Sequence, residues 1–242
     1  MKLIIIRHGD PNYAIDSLTP TGWKEAKLLS HRISKLDVKA FYVSPLGRAK
    51  DTAAATLTKM GRTAEVKDWL QEFPVQVQKP NSDRKSICWD WLPQDWTAEP
   101  CFYDPEHWYD HPCFVEAGVK DSYEKVCNGL DDLLAEHGYV RNGKLYKAVQ
   151  PNEDTIVFFC HFGLECVLLS HLMNISPMIL WHSTCAAPTS VTTINTEERR
   201  EGIACFRMSA FGDISHLYVG DQEPAFAARF CETFANTDQR HD

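Results

Sequence analysis

Two histidines in this sequence stand where buried strands are predicted to end. The apolar run Lys2–Ile6 leads directly to Arg7 and His8, and the run Thr155–Cys160 leads to His161. Each histidine is followed within two residues by a glycine, which lets a ligand approach the backbone closely. Because open α/β sheets bind ligands at the carboxyl ends of their strands, we expect both imidazoles at one site. A neutral imidazole there could act as a nucleophile or in proton transfer.

Two arginines are expected at the same place. Arg7 precedes the first histidine, and Arg48 lies in the first turn of a helix that follows a third predicted strand, Ala40–Val43. Guanidinium groups match phosphate oxygens, and a helix amino terminus favours anions. Phosphoryl transfer needs positioning and charge neutralisation above all. The sequence therefore predicts a pocket for a dianionic phosphoryl group.

Taken together, these motifs resemble the histidine phosphatase superfamily, also called the phosphoglycerate mutase-like fold. The resemblance implies that His8 attacks phosphorus and carries the phosphoryl group as a covalent intermediate. It implies that Arg7, Arg48 and His161 bind the phosphoryl oxygens, and that the other ring nitrogen of His8 donates to a backbone carbonyl. The residues that carry it are Arg7–Gly9, Leu18–Gly22 with Ala26, Ser44–Ala49 with Thr52 and Ala53, and His161.

The resemblance also implies a general acid in the loop that follows the strand predicted at 64–67. Glu72 matches that place and is the predicted acid, with a pKa raised by burial or by a nearby carboxylate. Asp10 and Glu65 are the alternatives. Asn12 stands where the family often has a phosphate-contacting side chain, and Phe162 stands where the family usually has glycine. We include both as phosphate- or substrate-binding residues.

The segment after the nucleophile separates the branches of the family. Family mutases carry a pattern with asparagine and tryptophan there, and the acid phosphatase and phytase branch carries a further arginine and proline. Residues 10–16 depart from both patterns, which favours hydrolysis of a phosphate monoester in the smaller cytoplasmic branch. A mutase and a non-catalytic phospholigand-binding module are the alternatives. The expected partner is a phosphorylated small molecule, and the implied chemistry requires no metal or organic cofactor.

Alternating strand and helix signals predict the elements that position these residues. They indicate one domain over residues 1–242, a three-layer α/β sandwich whose mostly parallel sheet has helices on both faces. Thr19 and Ser44 are predicted to cap helices that start at Pro20 and Pro45, and Gly61 is predicted to end the second helix. The other predicted elements are strands at 64–67 and 155–160, helices at 123–137, 164–173 and 224–234, and an edge hairpin of strands 190–195 and 203–209.

Residues 73–118 break this alternation. The segment carries six prolines and four tryptophans, a composition too aromatic for a disordered linker, so it is predicted to be an ordered insertion. It is either a lid over the site or a satellite core under a long loop. Within it, Cys101, His107, His111 and Cys113 form a C-x5-H-x3-H-x-C arrangement, for which packing or solvated roles are favoured over a zinc site.

Composition excludes several classes of function. A net charge of −8 argues against a general nucleic-acid or anionic-membrane binder. No apolar run approaches the roughly 20 residues that span a bilayer, and the opening run is shorter than a signal peptide requires. The nine cysteines contain no CxxC pair and are expected to be reduced thiols. These features predict a cytoplasmic protein whose oligomeric state the sequence leaves open.

Overall fold

The computed structural model describes residues 1–80, 82–227 and 229–241. No helix in this part of the chain is both long enough and apolar enough to cross a membrane. The strands are β1 (Lys2–Arg7), β2 (Pro11–Asn12), β3 (Ser17–Leu18), β4 (Ala40–Val43), β5 (Glu65–Val66), β6 (Gln76–Gln78), β7 (Lys85–Ile87), β8 (Tyr139–Asn142), β9 (Leu145–Ala148), β10 (Thr155–Cys160), β11 (Val191–Arg200) and β12 (Ile203–Asp213). The α-helices are α1 (Pro20–Ile33), α2 (Gly47–Met60), α3 (Pro93–Trp96), α4 (Pro112–Ala117), α5 (Val119–Glu136), α6 (Phe162–Met173), α7 (Pro177–Ser183) and α8 (Ser215–Val219).

The central sheet is mixed, with strand order β5-β4-β10-β1-β11-β12-β9-β8. Strands β5, β4, β10 and β1 are parallel, and the remaining pairings are antiparallel. β1 and β10 pair along their whole length, with Arg7 opposite Cys160. Because parallel strands end at the same edge, the residues that follow β1, β10 and β4 meet there.

Helices cover both faces of this sheet, which confirms the predicted α/β architecture. On one face, Ile4 of β1 lies in a buried cluster with Leu29 of α1 and Ala53 of α2. On the other face, Ile5 lies in a larger cluster that includes α5, α6, α7 and residues 73–118. Neighbouring side chains of a strand point to opposite faces, so a strand buried on both faces reads as one continuous apolar run.

Local signals placed several helix ends correctly. The Thr19 hydroxyl accepts a hydrogen bond from the Gly22 N–H at 3.1 Å and caps α1, as predicted. Gly61 ends α2 with a φ of 62°, a conformation that glycine adopts without strain. The strands at 40–43 and 155–160 have the predicted bounds, whereas α5 and α6 begin earlier than predicted.

The prediction that Ser44 caps α2 is wrong. The helix begins at Gly47, after Leu46, and Pro45 lies outside it. The Ser44 hydroxyl lies 2.7 Å from His161 Nε2 and accepts from the Leu46 N–H at 3.2 Å. The Ser44 hydroxyl thus contacts the distant His161, although the local preference of serine for helix caps predicted that it would cap α2.

The predicted hairpin near residues 190–209 forms as β11 and β12, but its predicted place at the sheet edge is wrong. β11 pairs with β1 and β12 pairs with β9, so the hairpin lies inside the sheet. A further hairpin, β8 and β9, forms the edge. Alternating hydrophobicity indicates that a hairpin forms, whereas its position in the sheet depends on long-range strand pairing.

The predicted closing helix at 224–234 is also wrong for the residues that the structure describes. The last helix is α8, and residues 224–227 and 229–234 are not helical. The Ala225 N–H donates to Glu25 Oε1 at 3.3 Å, and the Ala227 carbonyl lies 3.5 Å from Arg7 Nη1. Backbone groups that a helix would pair internally are used here in tertiary contacts.

Residues 73–118 form an ordered insertion that extends the main core. Phe102 and Trp108 are completely buried in the cluster that also covers the sheet. The backbone N–H of Trp91 donates to His182 Nε2 of α7 at 3.0 Å, which holds the insertion against the helical layer. That this insertion moves as a lid stays a prediction.

Candidate active site

His8 is the first residue after β1, and both its backbone and its ring are held. Its N–H donates to the Cys160 carbonyl at 2.9 Å, and its carbonyl accepts from the Thr189 N–H at 3.1 Å. Ring Nδ1 lies 2.7 Å from the Gly9 carbonyl oxygen. Because a carbonyl only accepts, Nδ1 carries the proton and Nε2 keeps its lone pair. The predicted bond from the ring to a backbone carbonyl is confirmed.

The environment of His8 keeps this ring neutral. Burial is the main cause that lowers its pKa to about 3, and the positive charge of Arg7 acts in the same direction. An ordinary surface histidine is partly protonated near pH 6.5, and a protonated imidazole has no lone pair to attack with. The His8 ring is therefore ready as a nucleophile at neutral pH.

His161 lies beside His8, at the amino end of α6. The two ring centroids are 5.1 Å apart. The Ser44 hydroxyl lies against Nε2, while Nδ1 is buried and has no hydrogen-bond partner among the described residues. Burial lowers the pKa of His161 well below its usual range. An unpartnered buried nitrogen is rare, and here it is free for a ligand.

The two predicted arginines reach the same place. Arg7 Nη1 donates to the Ala186 carbonyl at 2.5 Å, and Arg48 Nη1 donates to Asp16 Oδ1 at 2.6 Å. The Nε atoms of both arginines are buried, and neither has a hydrogen-bond partner in the described part of the chain. Both positive charges act on His8 and His161, in each case lowering the pKa. The cluster thus offers buried cationic donors to an anion.

A carboxylate of the protein already occupies the anion position at the start of α2. Asp16 Oδ2 accepts from the Gly47 N–H at 2.6 Å, and Oδ1 pairs with Arg48. Although burial acts to raise it, these bonds lower the pKa of Asp16. Asp16 was not among the predicted site residues. The available signal was a carboxylate between the nucleophile and a helix whose amino end attracts anions.

Glu72 is half-buried and packs against the start of α6. Its Oε1 accepts from the Phe73 N–H at 2.9 Å and from the Leu164 N–H at 3.0 Å, which leaves Oε2 to carry a proton. A Cβ added to Gly163 would lie 2.7 Å from Oε1 and 2.8 Å from the Trp89 indole, so glycine lets both side chains pack closely against the start of α6. Burial raises the pKa of Glu72, and the charge of Arg7 offsets this only in part. A raised pKa and a carboxyl oxygen that is free to carry a proton are properties of a general acid.

Glu165 is a further buried acid, one helical turn after His161, and it was not predicted. Its side chain is 1% exposed, and neither carboxyl oxygen has a hydrogen-bond partner of normal geometry among the described residues. Burial raises its pKa to about 7, and the Thr192 hydroxyl and the charge of Arg7 oppose this only in part. The signal in the sequence was a single carboxylate within the apolar stretch 162–169.

Comparison with protein families identifies this arrangement. The model of the histidine phosphatase superfamily (branch 1) matches residues 3–208. The chain belongs to this superfamily. Membership supports a phosphatase or phosphoryl-transfer function. No curated protein sequence matches the chain.

Solved structures share the fold of this member of the superfamily. A mutant phosphoserine phosphatase from Entamoeba histolytica, in complex with phosphoserine, is 20% identical with a TM-score of 0.59, over 89% of this chain and 98% of that chain. A mycobacterial glucosyl-3-phosphoglycerate phosphatase, in complex with VO3, is 18% identical with a TM-score of 0.52, over 87% of this chain and 98% of that chain. At these identities the likeness shows the fold.

The side chains of the alternative acids, Asp10 and Glu65, and of Asn12 make contacts elsewhere in this protein. Asp10 Oδ2 accepts from the Thr19 hydroxyl at 2.6 Å, and Glu65 forms an ion pair with Lys67 at the surface. Asn12 Oδ1 accepts from a backbone N–H two residues later, as in an ordinary turn. The structure therefore places Glu72 against the start of α6, the helix that follows His161, and commits these other side chains to contacts of their own.

Phe162 lies between His161 and the insertion. Its buried ring packs edge-on against Trp89, with ring centroids 6.3 Å apart. Trp89 in turn donates its indole N–H to the Phe73 carbonyl at 2.9 Å. Through Trp89, Phe162 thus connects the insertion and Phe73, the neighbour of Glu72, to the start of α6. A role of Phe162 in binding substrate stays a prediction.

The two cysteines and two histidines of the C-x5-H-x3-H-x-C arrangement do not point to one common site in the insertion. His107 is exposed and pairs with Asp110 at 2.8 Å, whereas His111 Nδ1 lies 3.0 Å from Cys113 Sγ among aromatic rings. Over residues 1–80, 82–227 and 229–241, no three potential ligand side chains lie close enough to hold a metal.

Proposed function

We propose that this histidine phosphatase hydrolyses a phosphate monoester of a small molecule through a phosphohistidine on His8. The observation that carries the proposal is the state of the His8 ring, which is neutral and has its Nδ1 proton held by Gly9. Its free Nε2 shares a pocket with Arg7 and Arg48. A neutral nucleophile among cationic donors suits attack on a phosphoryl dianion.

In the first step, the Nε2 lone pair of His8 attacks phosphorus. The P–N bond forms while the P–O bond to the leaving group breaks, and Glu72 Oε2 gives its proton to the departing oxygen. Arg7 and Arg48 bind the phosphoryl oxygens. We assign the proton of the Ser44–His161 hydrogen bond to the serine hydroxyl, so that Nε2 accepts and His161 Nδ1 carries a proton that it donates to a phosphoryl oxygen.

In the second step, water attacks the phosphohistidine. The ionised Glu72 takes a proton from this water, the O–P bond forms and the P–N bond breaks. The enzyme returns to its starting protonation state, and the net reaction converts ester and water to alcohol and inorganic phosphate. Neither step uses a metal or an organic cofactor.

The structural neighbours suggest which esters to test first. Relatives of the same fold were solved with phosphoserine and with 3-phosphoglyceric acid. Both are small phosphomonoesters of hydroxyl acids. We propose that a compound of this size is the substrate and that it reaches the site beside Phe162.

The test is phosphate release from a panel of such monoesters with a chelator present, wild type beside His8→Ala. Release by wild type alone supports the proposal. Loss of release in the presence of chelator would refute the metal-free chemistry. Phosphohistidine that forms without phosphate release, together with isomerised ester, would indicate a mutase. Binding without phosphohistidine would indicate a phospholigand-binding module.

A further inference from the structure

The Gly9 carbonyl decides which ring nitrogen of His8 is free, so the groups that hold this carbonyl control the nucleophile. The carbonyl of Gly9 and the N–H of Asp10 belong to one planar peptide group and point in opposite directions. The Asp10 N–H donates to Glu25 Oε2 at 2.8 Å. Glu25 therefore fixes the plane of this peptide and directs its carbonyl toward the His8 ring.

The preceding peptide is held from a second helix. The Gly9 N–H donates to Thr52 Oγ1 at 2.9 Å, and the Thr52 hydroxyl donates to the Arg48 carbonyl at 2.7 Å. Because the single hydroxyl proton is used on Arg48, a lone pair of the oxygen faces Gly9. The peptides on both sides of Gly9 are thus held by side chains of α1 and α2.

Close packing makes this arrangement possible. A Cβ added to Gly22 would lie 2.3 Å from the Asp10 carbonyl oxygen, so the first turn of α1 lies directly against the nucleophile loop. Glu25 follows three residues later on α1, and its carboxylate accepts from the Asp10 N–H. Glu25 and Thr52 are both completely buried, where a polar group without a partner is costly. Their bonds to the loop therefore lie in a water-free interior.

We propose that Glu25 and Thr52 are positioning residues that hold the Gly9 carbonyl against His8 Nδ1 and keep Nε2 as the attacking nitrogen. The inference rests on the proposed function, since the tautomer matters only if His8 attacks phosphorus. Neither side chain contacts the reacting atoms. Both act through the peptide groups on either side of Gly9.

Thr52→Val tests the first half of this arrangement, because valine keeps the shape and removes the hydroxyl. The matched control is Thr56→Val, one turn later on α2, where the hydroxyl is equally buried and has no partner among the described residues. We expect Thr52→Val to lower kcat about ten- to hundredfold while KM changes less than about threefold, as a misplaced nucleophile does. Thr56→Val should stay within about twofold of wild type, and Thr52→Ser should restore activity.

Glu25→Met tests the second half, because methionine has a similar shape and no strong acceptor. Glu25→Gln keeps one acceptor oxygen for Asp10 and should retain most of the activity. Glu25 also holds the Ala225 N–H, so the thermal stability of each variant is measured beside its kinetics. Comparable melting temperatures with a lower kcat for Glu25→Met support positioning.

Nitrogen-15 NMR of the His8 ring reads the tautomer directly and needs no turnover. Wild type and Thr56→Val should show a protonated Nδ1, whereas Thr52→Val and Glu25→Met should show mixed tautomers. Folded Thr52→Val and Glu25→Met proteins with a single Nδ1-protonated ring would overturn the inference, as would a kcat equal to that of Thr56→Val. Because NMR works on an inactive enzyme, failure of this inference is distinguishable from failure of the proposed hydrolysis.

Discussion

His8 and His161 follow neighbouring parallel strands, yet the chain holds their rings in opposite ways. The His8 ring is held through Nδ1 by the Gly9 carbonyl, which leaves Nε2 free. The His161 ring is held through Nε2 by the Ser44 hydroxyl, which leaves Nδ1 free. The same local pattern of strand, histidine and glycine thus gives two different chemical groups. The difference shows that the partner of the ring, and not the strand end itself, assigns the role.

The surroundings of the two rings differ as well. His8 adjoins the cation Arg7 and is held by neutral backbone groups, whereas the first turns of α6, which begins after His161, carry Glu165 and contact Glu72. Glu72 and Glu165 both have a pKa that burial raises. The neutral ring that follows β1 thus differs from the start of α6, where two carboxyl groups have a raised pKa. In the proposed mechanism, charge neutralisation and proton supply come from these two separate regions.

Removing each histidine in turn gives the largest expected effect. We expect His8→Ala to lower kcat by about 10⁴-fold or more, because the covalent route is lost. His161→Ala should cost about 10²- to 10³-fold, since it removes one donor to the phosphoryl group. Steady-state kinetics and trapping of phosphohistidine check this, with the exposed His31→Ala as control. Equal losses, or phosphohistidine in His8→Ala, would contradict the division of roles.

Glu72→Gln probes the acid side of the pocket. We expect kcat on an alkyl phosphate to fall about 10²-fold or more, and to fall less on a nitrophenyl phosphate, whose leaving group needs no proton. The raised pKa of Glu72 means that the wild-type rate falls as pH rises through that pKa, when the proton is lost. On the acid side, the rate falls only near the His8 pKa of about 3.

Rate measurements over a pH range check the Glu72 prediction, and the variant should lose the alkaline decline. Glu65→Gln, an exposed acid in an ion pair with Lys67, is the control and should behave as wild type. An alkaline decline that persists in Glu72→Gln would assign the proton to another group.

Glu165→Gln should change the pH dependence of stability. The pKa of Glu165 rises from its usual 4.5 to about 7 in the folded protein, so the folded state holds a proton that the unfolded state releases. This contribution is fully present below pH 4.5 and is lost as pH rises to about 7, a change of about 3 kcal/mol in the free energy of unfolding. Urea unfolding of wild type and variant from pH 4 to 8 measures the difference, and parallel curves would show that Glu165 does not titrate in this range.

Ser44→Ala has the smallest expected effect and tests what holds the His161 ring. Without the hydroxyl, Nε2 loses its partner, and we expect kcat/KM to fall about tenfold, the cost of one buried hydrogen bond. Ser30→Ala is the matched control, because the hydroxyl of this buried serine bonds only within α1. A loss as large as that of His161→Ala would mean that Ser44 contributes to binding in its own right.

Many of the strands and helix ends could be predicted, because the sequence signals for them are local. The apolar run before Arg7 and the run 155–160 are buried strands, Thr19 caps a helix and Gly61 ends one. Errors occurred where a side chain or segment found a distant partner. Ser44 bonds to His161 and does not cap α2, which begins later than predicted. The backbone at 225–227 bonds to Glu25 and Arg7, and the predicted closing helix does not form among the described residues there.

The local pattern of the sequence was enough to predict which residues follow the parallel strands, and so to predict that two histidines and two arginines share a site. The resemblance to the family added Glu72 to that prediction. Folding in three dimensions settles which nitrogen of the His8 ring is free, that Asp16 pairs with Arg48, and that Glu165 is buried without a hydrogen bond of normal geometry among the described residues. Hydrophobic periodicity reports which face of an element is buried, since it repeats within a few residues. Hydrogen-bond partners and pKa shifts depend on groups that are distant in the chain, and they arise only when the layers pack.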